Sequence, residues 1–242
     1  MDKLIKGLRQ FQQDYFASHQ RLFEELSHGQ KPRVLFVSCS DSRVDPELIT
    51  QSDPGEIFVI RNAGNIMPPY GAANGGEGAT LEYAIEALGV SDIVVCGHSH
   101  CGAMKGLLKL KELEGKMPLV SRWLEHAEAT RQVVLKNYSP CSGEDLLEIT
   151  IAENVLTQID NLRTYPCVRA KLNQGRLKLH AWVYEIETGR VYAYDPIAQE
   201  YVEPERAWDT PMPALSLPQR QAQACSWLPP EQSERIYRGA KV

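Results

Sequence analysis

Apolar residues recur along this chain with two different periods. Leu4, Leu8, Phe11, Tyr15, Leu22, Phe23 and Leu26 keep a helical spacing over residues 2–28, which predicts an amphipathic helix or helix pair. This arm precedes the first strand and needs a surface to cover, its own sheet or a partner subunit. Short β-branched runs then predict strands at 33–38, 57–60 and 92–96, each bounded by polar or turn-forming residues, with Asp53-Pro54-Gly55 closing the loop between the first two. Helical patterns at 79–88, 103–113, 119–136 and 144–163 follow, and Leu177 to Ile186 with Val191 to Tyr194, around Glu187-Thr188-Gly189-Arg190, predict a terminal hairpin. Strands alternating with helices imply βαβ units, so the expected fold is α/β with a mainly parallel central sheet flanked by helices.

The pattern is lost from Glu203 onward. Prolines at 204, 211, 213, 218, 229 and 230 oppose regular helix or interior strand, and Trp208, Trp227 and Tyr237 stand isolated, which predicts an irregular C-terminal tail outside the core. The expected division is a catalytic domain over residues 1–202, its first 28 residues forming the arm, and an extension over 203–242.

Composition narrows the class. With 242 residues, 43% of them hydrophobic and 24% charged, the chain has material for one large domain plus an appendage. A net charge of −5 with no basic patch argues against nucleic-acid binding and leaves small anions or neutral molecules as substrates. The six cysteines, at 39, 96, 101, 141, 167 and 225, form no C-x-x-C pair and are too sparse for a disulfide scaffold. The N-terminus lacks a secretory pattern and no apolar run is long enough to span a bilayer. A cytoplasmic, reducing setting is therefore expected, with the cysteines as core residues, ordinary free thiols or metal ligands.

The candidate chemistry lies at two strand ends. Cys39-Ser40-Asp41-Ser42-Arg43 follows the first strand, and Gly97-His98-Ser99-His100-Cys101-Gly102 follows the third. Thiolate and imidazole are preferred zinc ligands; His98 and Cys101, three apart at a helix start, can share a metal that Cys39 completes, with His100 as a rival ligand. Three protein ligands leave a fourth position for water, whose pKa zinc lowers to about 7. Asp41 can accept a hydrogen bond from such a water, and Arg43 can clamp that carboxylate and keep it off the metal.

The segments Cys39-Ser-Asp-Ser-Arg43-Val, Arg61-Asn62 and Gly97-His98-Ser99-x-Cys101-Gly102, in this order and spacing, resemble the β-class carbonic anhydrases over roughly residues 1 to 200. The resemblance implies reversible hydration of CO2 to bicarbonate at one zinc per subunit, held by Cys39, His98 and Cys101, with Asp41 and Arg43 as the catalytic dyad. It places the ligand on the first histidine of its segment, leaving His100 a supporting or exposed role. It also implies an obligate dimer or larger even-numbered oligomer, with the active-site cleft at the interface and the N-terminal helices embracing the partner. By position, Gln30, Phe58, Ala63 and Tyr83 correspond to substrate-pocket residues of plant-type members. Phe36 stands where a bicarbonate-regulated subclass carries tryptophan, which favours the plant-type subclass. The tail is similar to the C-terminal extension of carboxysomal members from cyanobacteria, which implies a location in the carboxysome, a supply of CO2 from bicarbonate there, and docking to a scaffold protein through Ser226-Trp227-Leu228-Pro229-Pro230 to Tyr237-Arg238-Gly239. Two other readings stay open: hydrolysis of a CO2 analogue such as carbonyl sulfide or carbon disulfide, and a catalytically inactive carboxysome assembly component.

Overall fold

A computed structural model describes residues 1–72 and 75–207. Six strands form one sheet: β1 (Val34–Cys39), β2 (Ile57–Asn62), β3 (Asp92–His98), β4 (Lys178–Glu185), β5 (Arg190–Asp195) and β6 (Glu200–Val202), in the order β2-β1-β3-β4-β5-β6. The pairs β1/β2, β1/β3 and β3/β4 are parallel, and β4/β5 and β5/β6 antiparallel, so the mainly parallel sheet expected from alternation is present. The chain leaves β1 towards β2 on one side and returns to β3 on the other. The carboxyl ends of β1 and β3 therefore flank a topological switch point, where open α/β sheets bind ligands.

One sheet face carries the main core. Leu35, Val37, Ile93, Val95, Leu179, Ala181 and Val183 alternate onto it and pack with helices α4 (Gly76–Glu86), α5 (Gly102–Leu108) and α9 (Gly143–Arg163) through residues such as Leu81, Met104, Ile151 and Val155. The contact between α9 and β3 is close: a Cβ at Gly97 would sit 2.8 Å from Val155 Cγ2, so only glycine lets the helix lie this near the strand that carries His98. Phe36, Val94 and Cys96 line the opposite face, with Val34, Ile57, Val59, Trp182 and Tyr184 beside them. Cys96 fills core there, as expected.

Several elements differ from the sequence reading. The arm is α1 (Asp2–Gln10), a π-helical stretch over Phe11–Phe16, and α2 (Gln20–Ser27), and none of its residues is buried. Helix α3 (Pro46–Thr50) was not expected from periodicity; it is started by Asp45, whose carboxylate accepts from Leu48 N at 3.0 Å, and by Pro46 at the first position. The helical patterns over 103–113 and 119–136 each divide, into α5 and α6 (Leu110–Leu113), and into α7 (Pro118–Leu124) and α8 (Glu128–Asn137). Helix α10 (Pro166–Asn173) and strand β6 are additional. Pro204 opens a short helix, α11 (Pro204–Ala207), where irregular chain was expected, because proline is compatible with a first helical turn. Cys141 is disulfide-bonded, not a free thiol; Cys39, Cys96, Cys101 and Cys167 are free. Residues 208–242, including Cys225 and the expected docking segment 226–239, lie outside the described residues. Among the described residues no helix is long and apolar enough to cross a membrane.

Candidate metal centre

Cys39 is the last residue of β1, His98 the last of β3, and Cys101 the residue that precedes α5. Between the latter two, His100 takes a left-handed backbone (φ 55°), which reverses the chain sharply enough to return Cys101 towards the sheet. The ligand atoms of all three residues lie within 4.8 Å of one another, and all three are buried.

The donor set fits a metal ion by its own chemistry. His98 Nδ1 lies 2.9 Å from Ser99 O; a carbonyl only accepts, so Nδ1 carries the proton and Nε2 presents its lone pair. That Nε2 is buried without a hydrogen-bond partner, an arrangement costly in a folded protein unless something else binds there. The Cys101 thiol beside it holds Cys39 Sγ down at about 4 against the opposing effect of burial, while Cys101 is pushed well above the ordinary thiol value by the same interaction. The two sulfurs thus share a proton that a dication would displace.

Asp41 is occupied by arginine. Arg43 donates Nε to Oδ1 at 2.9 Å, Nη2 to Oδ2 at 2.8 Å and its backbone N–H to Oδ1 at 3.0 Å. This hydrogen bonding holds the Asp41 carboxyl far below the usual carboxylate range, against a smaller opposing effect of desolvation. Arg43 Nη2 also donates to His100 O at 3.3 Å, joining the two loops. Asp41 Oδ2 lies 3.9 Å from His98 Nε2, beside the ligand cluster. His100 itself is half-exposed, its ring against Glu187 and 3.5 Å from Glu144 Oε2.

Two features escaped the sequence reading. Arg61, seen there only as part of a motif, donates to Cys39 O at 3.2 Å, Asp41 O at 2.9 Å and Val44 O at 2.6 Å, and so moulds the loop that carries Asp41 and Arg43. Asn62 Oδ1 and Nδ2 bond the backbone N and O of Ile66, each at 2.8 Å, closing the turn that carries Gly64. Gly64 N donates to Cys39 Sγ at 3.4 Å. The Arg61-Asn62 pair directly after the apolar run of the second strand was the available signal.

The four pocket candidates separate. Ala63 adjoins Gly64 and so lies beside Cys39. Phe58 pairs with Leu35, whereas Cys39 pairs with Asn62, so Phe58 sits four positions back along the sheet, about 13 Å from the metal end at strand rise. Its ring meets Tyr83 at 6.1 Å between centroids, and Tyr83, 51% exposed, lines a cleft of about 790 Å³ with Tyr70, Glu82 and Tyr165. Gln30 is exposed ahead of β1, beyond the opposite end of that strand. Within one chain, Phe58, Tyr83 and Gln30 are not brought to the ligand cluster.

An α/β sheet that gathers two thiols and an imidazole at its switch point, beside an arginine-clamped carboxylate, defines the class: an enzyme with a donor set able to hold a metal at the carboxyl edge of its sheet. The sequence profile of the carbonic anhydrase family matches residues 34–191. A carbonic anhydrase of Synechocystis sp. is 52% identical, covering 100% of this chain and 100% of its own length. One of Pseudomonas aeruginosa is 49% identical, covering 84% of this chain and 91% of its own. The solved β-carbonic anhydrase CcaA superposes with a TM-score of 0.84 at 63% identity, over 84% of this chain and 92% of that one. The chain belongs to the β-class carbonic anhydrases, enzymes that interconvert CO2 and bicarbonate.

Proposed function

We propose that Cys39, His98 and Cys101 hold one zinc ion per subunit and that Asp41 and Arg43 serve the hydration of CO2 beside it. The observation that carries this is the buried cluster itself: two sulfurs and an unpartnered imidazole nitrogen within 4.8 Å. When bound, zinc would supply a nucleophilic hydroxide at neutral pH from an ordinary water. The side chains do the rest. Asp41, ionised because Arg43 grips both its oxygens, accepts a hydrogen bond from the attacking water and orients it; committed to Arg43, it stays off the metal. Loss of the Cys39 sulfur in Cys39→Ala is expected to remove both bound zinc, measured by elemental analysis, and CO2 hydration, measured by stopped flow. Undiminished hydration by a zinc-free variant would overturn the reading.

The substrate pocket is read as shared between two subunits. Half-buried Phe58 and exposed Tyr83 lie away from the ligand cluster of their own chain, so apolar walls for CO2 come from a second copy. The arm supports the same reading: Leu4, Leu8 and Phe11 are exposed among the described residues, Leu8 to 68%. Gln30, exposed, is read as a hydrogen-bond donor to the substrate in that assembled cleft.

For the extension, docking to a carboxysome scaffold is the proposal, with CO2 supplied from bicarbonate inside that compartment. It is supported by the end-to-end match to a cyanobacterial relative, whereas the Pseudomonas relative leaves about a sixth of this chain unmatched. Deleting residues 205–242 is expected to leave hydration intact and abolish scaffold capture in a pull-down. Undiminished capture would refute it.

A further inference from the structure

Two carbonyls flank the N–H that Gly64 gives to Cys39 Sγ, and each is gripped by a side chain that no catalytic role requires. The peptide unit carrying that N–H has Ala63 O as its other pole, and Ala63 O accepts from Trp123 Nε1 at 2.8 Å. The next carbonyl, Gly64 O, accepts from Asn154 Nδ2 at 3.0 Å. Gly64 itself stands at φ 84°, and a Cβ there would meet Met104 Cε at 2.8 Å and Ala103 Cβ at 3.1 Å. Only glycine therefore lets this peptide approach both the thiol and the helix that follows Cys101.

The orientation of Asn154 is fixed from outside. Met67 N donates at 2.9 Å to Gln158 Oε1, so that atom is the amide oxygen, and Gln158 Nε2 faces Asn154 Oδ1 at 2.8 Å. Asn154 must then turn its Nδ2 to Gly64 O. Asn161 Nδ2 secures the far end, on Met67 O at 2.9 Å and Gln158 Oε1 at 3.1 Å. Asn154 and Gln158 are fully buried, and water cannot substitute for either.

We propose that Trp123 and Asn154 are positioning residues that set the hydrogen bond from Gly64 N–H to the Cys39 thiolate, and through it the donor strength of that sulfur towards the metal. Trp123 acts by polarising the peptide unit: donation to its carbonyl strengthens its N–H as a donor. Asn154 acts by holding the adjacent carbonyl, which fixes the aim of that N–H. Hydrogen bonds to a ligand sulfur tune the metal it binds, and such supporting groups influence metal affinity by about 10- to 100-fold. The inference rests on the reading of Cys39 as a metal ligand.

The test uses the full-length chain loaded with Co2+, whose sulfur-to-metal charge-transfer band reports the energy of the thiolate, together with zinc affinity by chelator competition. Trp123→Phe keeps an aromatic ring and removes the donor; Asn154→Leu removes the buried one. Both variants are expected to shift the band to longer wavelength, because a thiolate that loses a hydrogen bond is a stronger donor, and to change zinc affinity, by about tenfold for Asn154→Leu and less for Trp123→Phe, because water can reach the exposed Ala63. Should Asn154→Leu fail to fold, Trp123→Phe carries the test alone. A Co2+-loaded variant with the wild-type band and wild-type zinc affinity overturns the inference. Wild-type protein that takes up no cobalt would instead overturn the metal reading beneath it.

Discussion

Arg43 holds both carboxylate oxygens of Asp41, at 2.9 and 2.8 Å, from only two residues further along the chain. So short a loop leaves the pair little freedom, and the guanidinium fork matches the carboxylate geometry that an ammonium cannot. The grip keeps Asp41 ionised and both its oxygens committed.

Replacing Arg43 by lysine is therefore expected to lower kcat/KM by about 10- to 100-fold while zinc content stays near one per chain. Stopped-flow hydration assays with matched elemental analysis check both halves.

The same pair predicts a pH dependence of stability. The folded pKa of Asp41 is depressed below its ordinary 3.8, so its stabilising contribution is fully present above that value and is lost as pH falls towards the folded value. Urea unfolding at a series of pH values should show the gap between wild type and Arg43→Lys at its widest above pH 4 and closing below it.

Metal removal should leave a shared proton behind. With one sulfur held low and the other raised, rebinding zinc near neutral pH is expected to release about one proton from the thiol pair and to raise the melting temperature. Calorimetry in buffers of different ionisation enthalpy counts the proton.

Because Phe58 and Tyr83 lie away from the ligand cluster of their own chain, dissociation should cost activity without costing metal. Leu8→Asp with Phe11→Asp on the uncovered arm face is expected to yield monomers by sedimentation, with zinc retained and hydration reduced at least about tenfold.

Cys141 offers a separate test of stability. Cys141→Ser should lower the melting temperature under non-reducing conditions, by an amount in keeping with the about 2–4 kcal/mol typical of a disulfide. Added reductant should bring the wild type down to the variant and leave the variant where it is.

The strands and the clustering of Cys39, His98 and Cys101 were legible because each rests on local signals: β-branched runs leading up to Cys39 and His98, and a fixed spacing to Cys101. Helix α3 was hidden because its five residues are too few for periodicity, although Asp45-Pro46 marks its start. Arg61 was visible only as a motif residue, since its three carbonyl partners lie 17 to 22 residues away. The disulfide at Cys141 was illegible for a related reason, as isolated cysteines do not announce their pairing. Phe58 and Tyr83 matched pocket positions in the sequence, but only the register of β1 with β2 reveals how far they stand from Cys39 in one chain.

The amide ladder behind Gly64 has one more consequence. Asn154, Gln158, Asn161 and Trp123 carry no proton that titrates, whereas Asp41 and the two sulfurs nearby are ionisable groups. The hydrogen bonds behind the Gly64 peptide are thereby independent of pH, even where the groups beside them change charge. A catalyst that runs in both directions, in surroundings whose acidity its own reaction changes, keeps the backbone around Cys39 in one shape throughout.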